Sequence, residues 1–165
     1  MSRVLCIDLG STTVKAAMVD ERGTILGQRG VNAPAPRRED GLFDVLEYER
    51  AVHEAVRSLV RSLPGKRPPE ALAVSSQRAT LVMSDDAREP TAPAVSWMGT
   101  ACADQSEALY DRFGRDRFHH STGLVPSHIY TVAKLAWMRE RDPSSLVHAR
   151  RVGTLHDCIL WRMGA

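Results

Sequence analysis

The stretch that decides the fold covers residues 4–15, which read Val-Leu-Cys-Ile-Asp-Leu-Gly-Ser-Thr-Thr-Val-Lys. Its apolar start predicts a strand that carries the carboxylate of Asp8 into a turn at Gly10, with the glycine at positive φ. The turn is followed by three hydroxyl residues and a cation, namely Ser11, Thr12, Thr13 and Lys15. Backbone N–H groups and hydroxyls can surround phosphate oxygens, a lysine can offset their charge, and a carboxylate can hold hydrated magnesium. The stretch therefore predicts a hairpin that binds the phosphates of a nucleotide.

Outward from this stretch, the sequence predicts strands first and mostly helices later. Apolar runs at residues 4–7, 14–19 and 25–30 are separated by glycine-containing turns and predict an antiparallel three-strand meander. Apolar residues recur at helical spacing within residues 46–63, so an amphipathic helix is expected there. Further strands are predicted at 71–75, 79–83 and 94–97, and helices at 101–113, 130–141, 144–149 and 156–162. This order indicates an α/β or α+β layer architecture.

Length and composition limit the classes of protein that this chain can belong to. Its 165 residues fit one domain with a real core. The 22 basic and 20 acidic residues are spread along the chain and give no electrostatic case for nucleic acid or a membrane surface. The three cysteines form no CxxC pair, and neither a secretory signal nor a long apolar run is present. We therefore expect a soluble cytoplasmic protein with no nucleic-acid or membrane partner.

Residues 8–15 resemble the first phosphate motif of the actin/hexokinase/Hsp70 superfamily. More specifically, the chain resembles the N-terminal domain of the FGGY carbohydrate kinases, which include xylulokinase, gluconokinase, ribulokinase and glycerol kinase. Four further segments resemble motifs of that family and occur in the family's order. They are Ser-Ser-Gln-Arg-Ala-Thr at 75–80, Pro-Ala-Val-Ser-Trp-Met at 93–98, Thr-Gly-Leu with Lys-Leu-Ala-Trp within 122–137, and His-Asp-Cys-Ile-Leu-Trp-Arg-Met-Gly at 156–164.

This resemblance implies an RNase H-like (actin-like ATPase) domain, with a mixed sheet that starts with the meander and is flanked by helices. It also implies ATP-dependent phosphorylation of a sugar or polyol hydroxyl. Asp8 would face the Mg²⁺–phosphate complex through water. The phosphates of ATP would be bound by Gly10, Ser11, Thr12, Thr13 and Lys15, and the acceptor by Gln77, Arg78 and Trp97. Such chemistry depends on positioning and on neutralising charge at the transferred phosphoryl group.

The sequence departs from the family pattern at the acceptor side. Glycerol kinases carry a glutamate after the arginine, where this chain has Ala79. Many sugar kinases follow the tryptophan with x-Asp-x-Arg, whereas this chain has Met-Gly-Thr-Ala at 98–101, so a charged pair is missing at the pocket edge. The sequence indicates a polar pocket but does not identify which sugar or polyol fits it.

The resemblance also sets an expectation for domain organisation. Residues 1–165 are expected to be the acceptor-binding N-terminal domain, incomplete at its C-terminal end, with the second, nucleotide-binding domain absent. In the family that domain supplies the general base and the adenosine pocket, so we expect the isolated chain to be inactive. A homo-oligomer or a missing C-terminal kinase domain would then be its partner. The alternative is a truncated non-catalytic remnant, or a module that binds a sugar or an anion.

The residues themselves leave simpler interpretations open at several positions. Asp8 could be a turn aspartate that accepts from local N–H groups, and Lys15 could be a solvated charge at the start of a strand. Arg78 follows a buried strand, where α/β folds place their sites, yet it could also be a surface arginine. Trp97 could line a pocket or pack in the core.

Overall fold

The computed structural model describes residues 2–65 and 67–164. In chain order its elements are β1 (Arg3–Leu9), β2 (Thr13–Asp20), β3 (Ile25–Asn32), β4 (Leu42–Phe43), α1 (Val45–Ser62), β5 (Ala71–Ser76), β6 (Leu81–Ser84), β7 (Ala94–Val95), α2 (Ala103–Phe113), α3 (Arg115–Thr122), α4 (Thr131–Arg141), α5 (Pro143–His148), β8 (Arg151–Thr154) and α6 (Leu155–Arg162). Contacts between Cα atoms divide the chain into two compact units. The first unit is formed by the described residues of 1–35 and 44–77, and the second by those of 36–43 and 78–165.

The first unit is built on a four-stranded mixed sheet in the order β3-β2-β1-β5. The strands β1, β2 and β3 pair antiparallel, and β5 pairs parallel to β1. The predicted antiparallel meander is therefore confirmed, and so is the mixed character of the sheet. The register places Asp8 of β1 between Lys15 of β2 and Ser75 of β5.

Strands β1 and β2 bury one face of this sheet, because apolar side chains alternate along them. The strand predicted at 71–75 forms as β5, but it is mostly exposed, so the expectation that it is buried is wrong. Ile7 and Leu9 of β1 and Met18 of β2 are among the buried residues. Helix α1 packs on β2 and β3 and contributes its own buried stripe, which includes Tyr48, Val52, Ala55 and Leu59. The side chain of Asp44 caps the helix by accepting from the Leu46 N–H at 2.8 Å. The helix predicted for residues 46–63 is confirmed within one residue at each end.

The second unit has an antiparallel sheet in the order β4-β7-β6-β8, accompanied by helices α2 to α6. A cluster of buried side chains in this unit contains Leu42, Leu81, Met83, Ala92, Val95, Cys102, Ala133, Trp137 and Met138. The helices predicted at 101–113, 130–141, 144–149 and 156–162 are confirmed as α2, α4, α5 and α6, with ends that differ by at most two residues.

The structure corrects the sequence-based prediction at several points of the second unit. Helix α3 is highly polar and has no buried residue, so it carries no apolar pattern to detect. Strand β8 was not predicted either. All four of its residues pair with β6, and this pairing rather than an apolar pattern determines its extended conformation. The two-residue strand β4 pairs with β7. The strand predicted at 79–83 is wrong at its start, because Ala79 has φ 59°, a left-handed conformation that a strand excludes.

The backbone of Gly41 lies directly against that of Gly99 in the second unit. An added Cβ at Gly41 would lie 2.6 Å from the Cα of Gly99, and one at Gly99 would lie 2.7 Å from the Cα of Gly41. The neighbouring Asp40 is buried, and its carboxylate accepts from the guanidinium groups of Arg37 at 2.6 Å and Arg141 at 3.1 Å. Gly99 stands where many sugar kinases carry the aspartate of the charged pair. Its close contact with Gly41 leaves no room for a side chain, so this glycine has a packing role.

Three general properties of the described residues bear on the class of protein. No helix among them combines the length and the apolar character that a bilayer crossing requires. Cys6, Cys102 and Cys158 are all free thiols. In the same part of the chain, no group of three or more His, Cys, Asp or Glu side chains is arranged to hold a metal ion directly.

Candidate functional site

Asp8, Lys15 and Ser75 lie on the open face of the first unit's sheet. Side chains alternate across a strand, and Ile7 and Leu9 point into the core, so Asp8 between them lies on the opposite face. A groove of about 380 Å³ follows this face, and all three residues line it. Asp8 is partly buried and Lys15 is exposed. The structure therefore brings the predicted carboxylate and cation together at one groove.

The turn between β1 and β2 is held by hydrogen bonds from three other segments of the first unit. The Tyr48 hydroxyl of α1 donates to the Gly10 carbonyl at 2.6 Å. The Gln77 N–H donates to the Leu9 carbonyl at 2.9 Å, and the Ala33 N–H donates to the Thr12 carbonyl at 3.0 Å. These bonds fix the backbone on which Ser11, Thr12 and Thr13 stand.

The expectation that Gly10 adopts positive φ is wrong. Gly10 is not among the glycines of positive φ, which are Gly23, Gly41, Gly65, Gly114, Gly123 and Gly164. A Cβ at Gly10 would instead lie 2.6 Å from the Thr13 carbonyl oxygen. Glycine is required because the turn brings two backbone segments into close contact, and not because of its φ angle.

Tyr48 is a site residue to which the sequence analysis assigned no role. Burial raises the pKa of its hydroxyl well above the ordinary value; a hydrogen bond with the Gln77 side chain opposes this rise, and the nearby Asp8 charge adds to it. The hydroxyl therefore stays protonated and acts as a donor at physiological pH. The sequence does place Tyr48 on the apolar stripe of α1. Because a buried tyrosine hydroxyl needs a polar partner, this position could have indicated a hydrogen bond to another segment.

Replacing Tyr48 by phenylalanine is expected to lower the free energy of unfolding by about 1 kcal/mol, because the Gly10 carbonyl loses its partner. Urea unfolding followed by circular dichroism measures this loss. Tyr110→Phe is the matched control, since the Tyr110 hydroxyl is also buried but makes no hydrogen bond within the described structure. Equal losses in the two variants would show that the bond to Gly10 contributes nothing.

The groove suits hydrated magnesium better than a directly bound metal. Mg²⁺ keeps several of its waters and is held through one or two carboxylates together with substrate phosphates. Asp8 supplies one carboxylate at the groove, and the hydroxyls of Ser11 and Thr12 follow within four positions of it along the chain. This donor set fits an ion that Asp8 holds through water.

The three predicted acceptor-binding residues fall in different units. Gln77 closes the first unit, where its side chain bonds to Tyr48. Arg78 and Trp97 belong to the second unit, and both side chains are exposed. The exposure of Trp97, at 40%, excludes the interpretation that it is a core residue. Arg78 and Trp97 are thus accessible to a ligand within the second unit.

A buried lysine supports the backbone that follows Arg78. Lys134 of α4 is 0% exposed, and its ammonium donates to the Ala79 carbonyl. Burial lowers the pKa of Lys134 to about 8, and the electrostatic interaction with Cys102 opposes that shift. Burial likewise raises the pKa of the Cys102 thiol, whose Sγ donates to the His128 carbonyl at 3.1 Å. Lys134 belongs to the Lys-Leu-Ala-Trp segment, but no function of this lysine could be predicted from the sequence.

The titration of Lys134 predicts a specific dependence of stability on pH. Its pKa is 10.5 in the unfolded chain and about 8 in the folded protein, so between these values the unfolded chain binds more protons. The free energy of unfolding therefore rises with pH in that window, and below pH 8 the group adds no slope. Above the ordinary value of 9.0, Cys102 contributes the opposite slope, because burial raises its pKa. The useful window is thus pH 8 to 9.

From pH 8 to pH 9, we expect the unfolding free energy of the wild type to rise by about 1 kcal/mol relative to that of Lys134→Met, which lacks the titrating ammonium. Urea unfolding at closely spaced pH values measures this change. Groups remote from Lys134 are shared by the two proteins and cancel in the difference. Cys102 interacts with Lys134 and does not cancel, so the comparison is confined to pH values below the ordinary pKa of 9.0 of its thiol. Parallel pH profiles would contradict the lowered pKa of Lys134.

Comparison with known proteins gives consistent matches. The model of the FGGY family of carbohydrate kinases, N-terminal domain, matches residues 3–165. Xylulose kinase of Streptomyces rubiginosus is 32% identical over 168 residues, which cover 97% of this chain and 33% of that protein. Glycerol kinase of Methylorubrum extorquens is 29% identical over 171 residues, which cover 95% of this chain and 33% of that protein. The chain thus spans about a third of the length of the curated relatives it matches.

The fold is also shared with solved structures. Gluconate kinase from Lactobacillus acidophilus superposes with a TM-score of 0.87 at 18% identity, and the match covers 98% of this chain and 33% of that one. At this level of identity the likeness shows the fold alone. The predicted α/β architecture of the actin-like ATPase type is confirmed.

Proposed function

Because the chain belongs to the FGGY family of carbohydrate kinases, we propose that it is the acceptor-binding, N-terminal domain of an enzyme that phosphorylates a sugar or polyol hydroxyl with ATP. The observation that carries this proposal is the placement of Asp8 and Lys15 at one groove, beside a hydroxyl-bearing turn. Such an arrangement suits the two charges of a magnesium–phosphate complex.

The residues of the hairpin have separate roles in this proposal. Asp8 would hold Mg²⁺ through water, and Lys15 would offset the charge of the phosphate oxygens. The N–H groups and hydroxyls of Ser11, Thr12 and Thr13 bind those oxygens, on a turn that Tyr48 keeps in place. Magnesium supplies neutralisation of the charge that develops on the transferred group.

The acceptor contacts are assigned to three residues. Arg78 donates to acceptor hydroxyls, Trp97 covers one face of the acceptor, and Gln77 contributes an amide beside the phosphate turn. No described residue is assigned as the general base that accepts the hydroxyl proton. We therefore expect the isolated chain to release no ADP above background, unless a homo-oligomer or a second kinase domain supplies that group. The predicted cytoplasmic location stays a prediction.

Nucleotide binding tests the proposal directly. The chain with Mg²⁺ and ATP is expected to bind with a Kd around 1 mM, or about −4 kcal/mol, because the hairpin contacts only the phosphates. Amide chemical-shift changes in a titration followed by NMR should concentrate on residues 8–15. Asp8→Asn should weaken binding about tenfold, whereas Asp86→Asn, at an exposed turn of the second unit, should leave it unchanged.

The alternative is a module that binds a sugar or an anion without turnover, and the small residues Ala79 and Gly99 on the acceptor side favour it. The NMR titration separates the two functions, because the kinase proposal predicts shift changes at residues 8–15. ADP release with ATP, Mg²⁺ and a panel of ketoses, polyols and aldonic acids tests in addition whether a homo-oligomer of the chain completes the enzyme. Acceptor-dependent release that Asp8→Ala abolishes would establish a complete kinase. Shift changes confined to residues outside the hairpin would contradict the kinase proposal and favour the binding module.

A further inference from the structure

The backbone immediately after Arg78 adopts a conformation that alanine does not favour. Ala79 has φ 59°, and only one other described non-glycine residue, Arg88, also has positive φ. A Cβ crowds the following carbonyl in this region, so a residue stays there only when its surroundings hold it. The turn that carries Arg78 is therefore determined by contacts made elsewhere in the second unit.

Two contacts hold this turn. The ammonium of Lys134 on α4 donates to the Ala79 carbonyl, and the Leu155 N–H at the start of α6 donates to the Thr80 carbonyl at 3.2 Å. Consecutive carbonyls are thus bonded to two different helices, and strand β6 begins at the next residue, Leu81. The Leu155 contact is a backbone bond that any residue could make, whereas the Lys134 contact depends on one side chain.

A lysine is an unusual choice for this position if packing is its only role. Lys134 is fully buried, and no carboxylate among the described residues pairs with it. Taking an ammonium out of water is unfavourable unless it gains a strong acceptor. The long apolar methionine would fill a similar volume without that penalty. The retained charge points to the bond with the Ala79 carbonyl as the function of the side chain.

We propose that Lys134 is a positioning residue for the acceptor: its bond to the Ala79 carbonyl locks the left-handed turn and so sets the direction in which the Arg78 side chain leaves the chain. This inference rests on the proposed function for its consequence, since Arg78 is the residue assigned to acceptor hydroxyls. The lock itself rests on the geometry of the second unit alone.

The first test measures the lock without any ligand. NMR of the 165-residue chain should show, for wild-type Ala79, the strong intraresidue HN–Hα Overhauser effect of a residue with positive φ. Lys134→Met should weaken that effect, while Met138→Ala, a buried change on the same helix, should leave it intact. An unchanged Ala79 signal in Lys134→Met would overturn the proposal.

The second test asks whether glycine at position 79 can replace the hydrogen bond from Lys134. Glycine adopts positive φ readily, so Ala79→Gly should restore the turn in the Lys134→Met background. The probes are glycerol, D-xylulose and D-gluconate, titrated separately and followed by NMR. Lys134→Met should weaken the binding of any probe that the wild type binds by about tenfold, and the double variant should recover most of that loss. Affinity for Mg²⁺ and ATP should be the same in all variants.

The outcomes separate the two proposals. A wild-type chain that binds none of the probes would count against the proposed function, and the Ala79 signal would still decide whether Lys134 locks the turn. If Lys134→Met does not fold, Lys134→Arg and the double variant provide the comparison, because one keeps a donor and the other removes the strain. Folding restored by either variant supports the lock, and failure of both variants shows that Lys134 acts only through packing.

Discussion

Replacing Gly41 by alanine is expected to lower the free energy of unfolding by about 3 kcal/mol, the sum of a steric clash and an unfavourable backbone conformation. The added Cβ would lie 2.6 Å from the Cα of Gly99. Both atoms are tied to backbone, so no side-chain rotation can relieve the contact. The φ of +72° at Gly41 adds the conformational term. Urea unfolding at 25 °C measures the total.

Two further substitutions divide this loss into its parts. Gly99→Ala meets the same contact at 2.7 Å but has no positive φ, so it should lose about 2 kcal/mol through the clash. Gly123→Ala has a φ of +69° with no atom within 4 Å of the added Cβ, so it should lose about 1 kcal/mol. If Gly41→Ala loses no more than Gly123→Ala, the close approach of positions 41 and 99 does not exist in solution.

Replacing Leu59 by alanine is expected to lower the free energy of unfolding by about 3 kcal/mol, within the range for a buried leucine. Leu59 is fully buried on α1, and its side chain lies over Gly27 of β3. An added Cβ at Gly27 would lie 3.4 Å from Cδ1 of Leu59, so the leucine fills the space above this glycine and its truncation opens a cavity there. The loss is measured by urea unfolding followed at the far-ultraviolet helix signal.

The neighbouring residue supplies the control for this experiment. Val60 is 51% exposed, so Val60→Ala should change the unfolding free energy by less than about 0.5 kcal/mol. The two positions differ by one residue and by about 100° around the helix. Similar losses at both positions would mean that α1 does not present the face that the structure assigns to the core.

The elements with a clear apolar period could be predicted from the sequence. The strands β1 and β2 and the helix α1 alternate or repeat their apolar residues strongly enough to identify both type and position. Strand β3 is mostly exposed, and the glycine-containing turn before it was the stronger signal. Even in α1 the pattern was coarser than the structure, because Leu59 and Val60 both fit helical spacing and only Leu59 is buried. Polar elements such as α3 and β8 could not be found, since neighbouring segments rather than their own residues determine them.

Some residues of the candidate site could likewise be predicted from the local sequence, and others could not. The residues 8–15 could be interpreted alone because their chemical types follow one another along the chain. Tyr48 and Lys134 could not, because their roles depend on acceptors that lie 38 and 55 positions away. A lysine within a helix is by default expected at the surface. The burial of Lys134 against the Ala79 carbonyl depends on the tertiary structure and cannot be predicted from composition or spacing.

The path of the chain between the two units has a consequence for biosynthesis. Residues 36–43 belong to the second unit, although they are translated before residues 44–77 of the first. When Gln77 leaves the ribosome, every strand of the first sheet has been synthesised. Leu42 and Phe43 of β4 cannot pair yet, because their partner strand β7 has not been translated. Cutting the gene after codon 77 would leave β4 in the wrong fragment. Dividing the gene at one codon therefore cannot separate the two units.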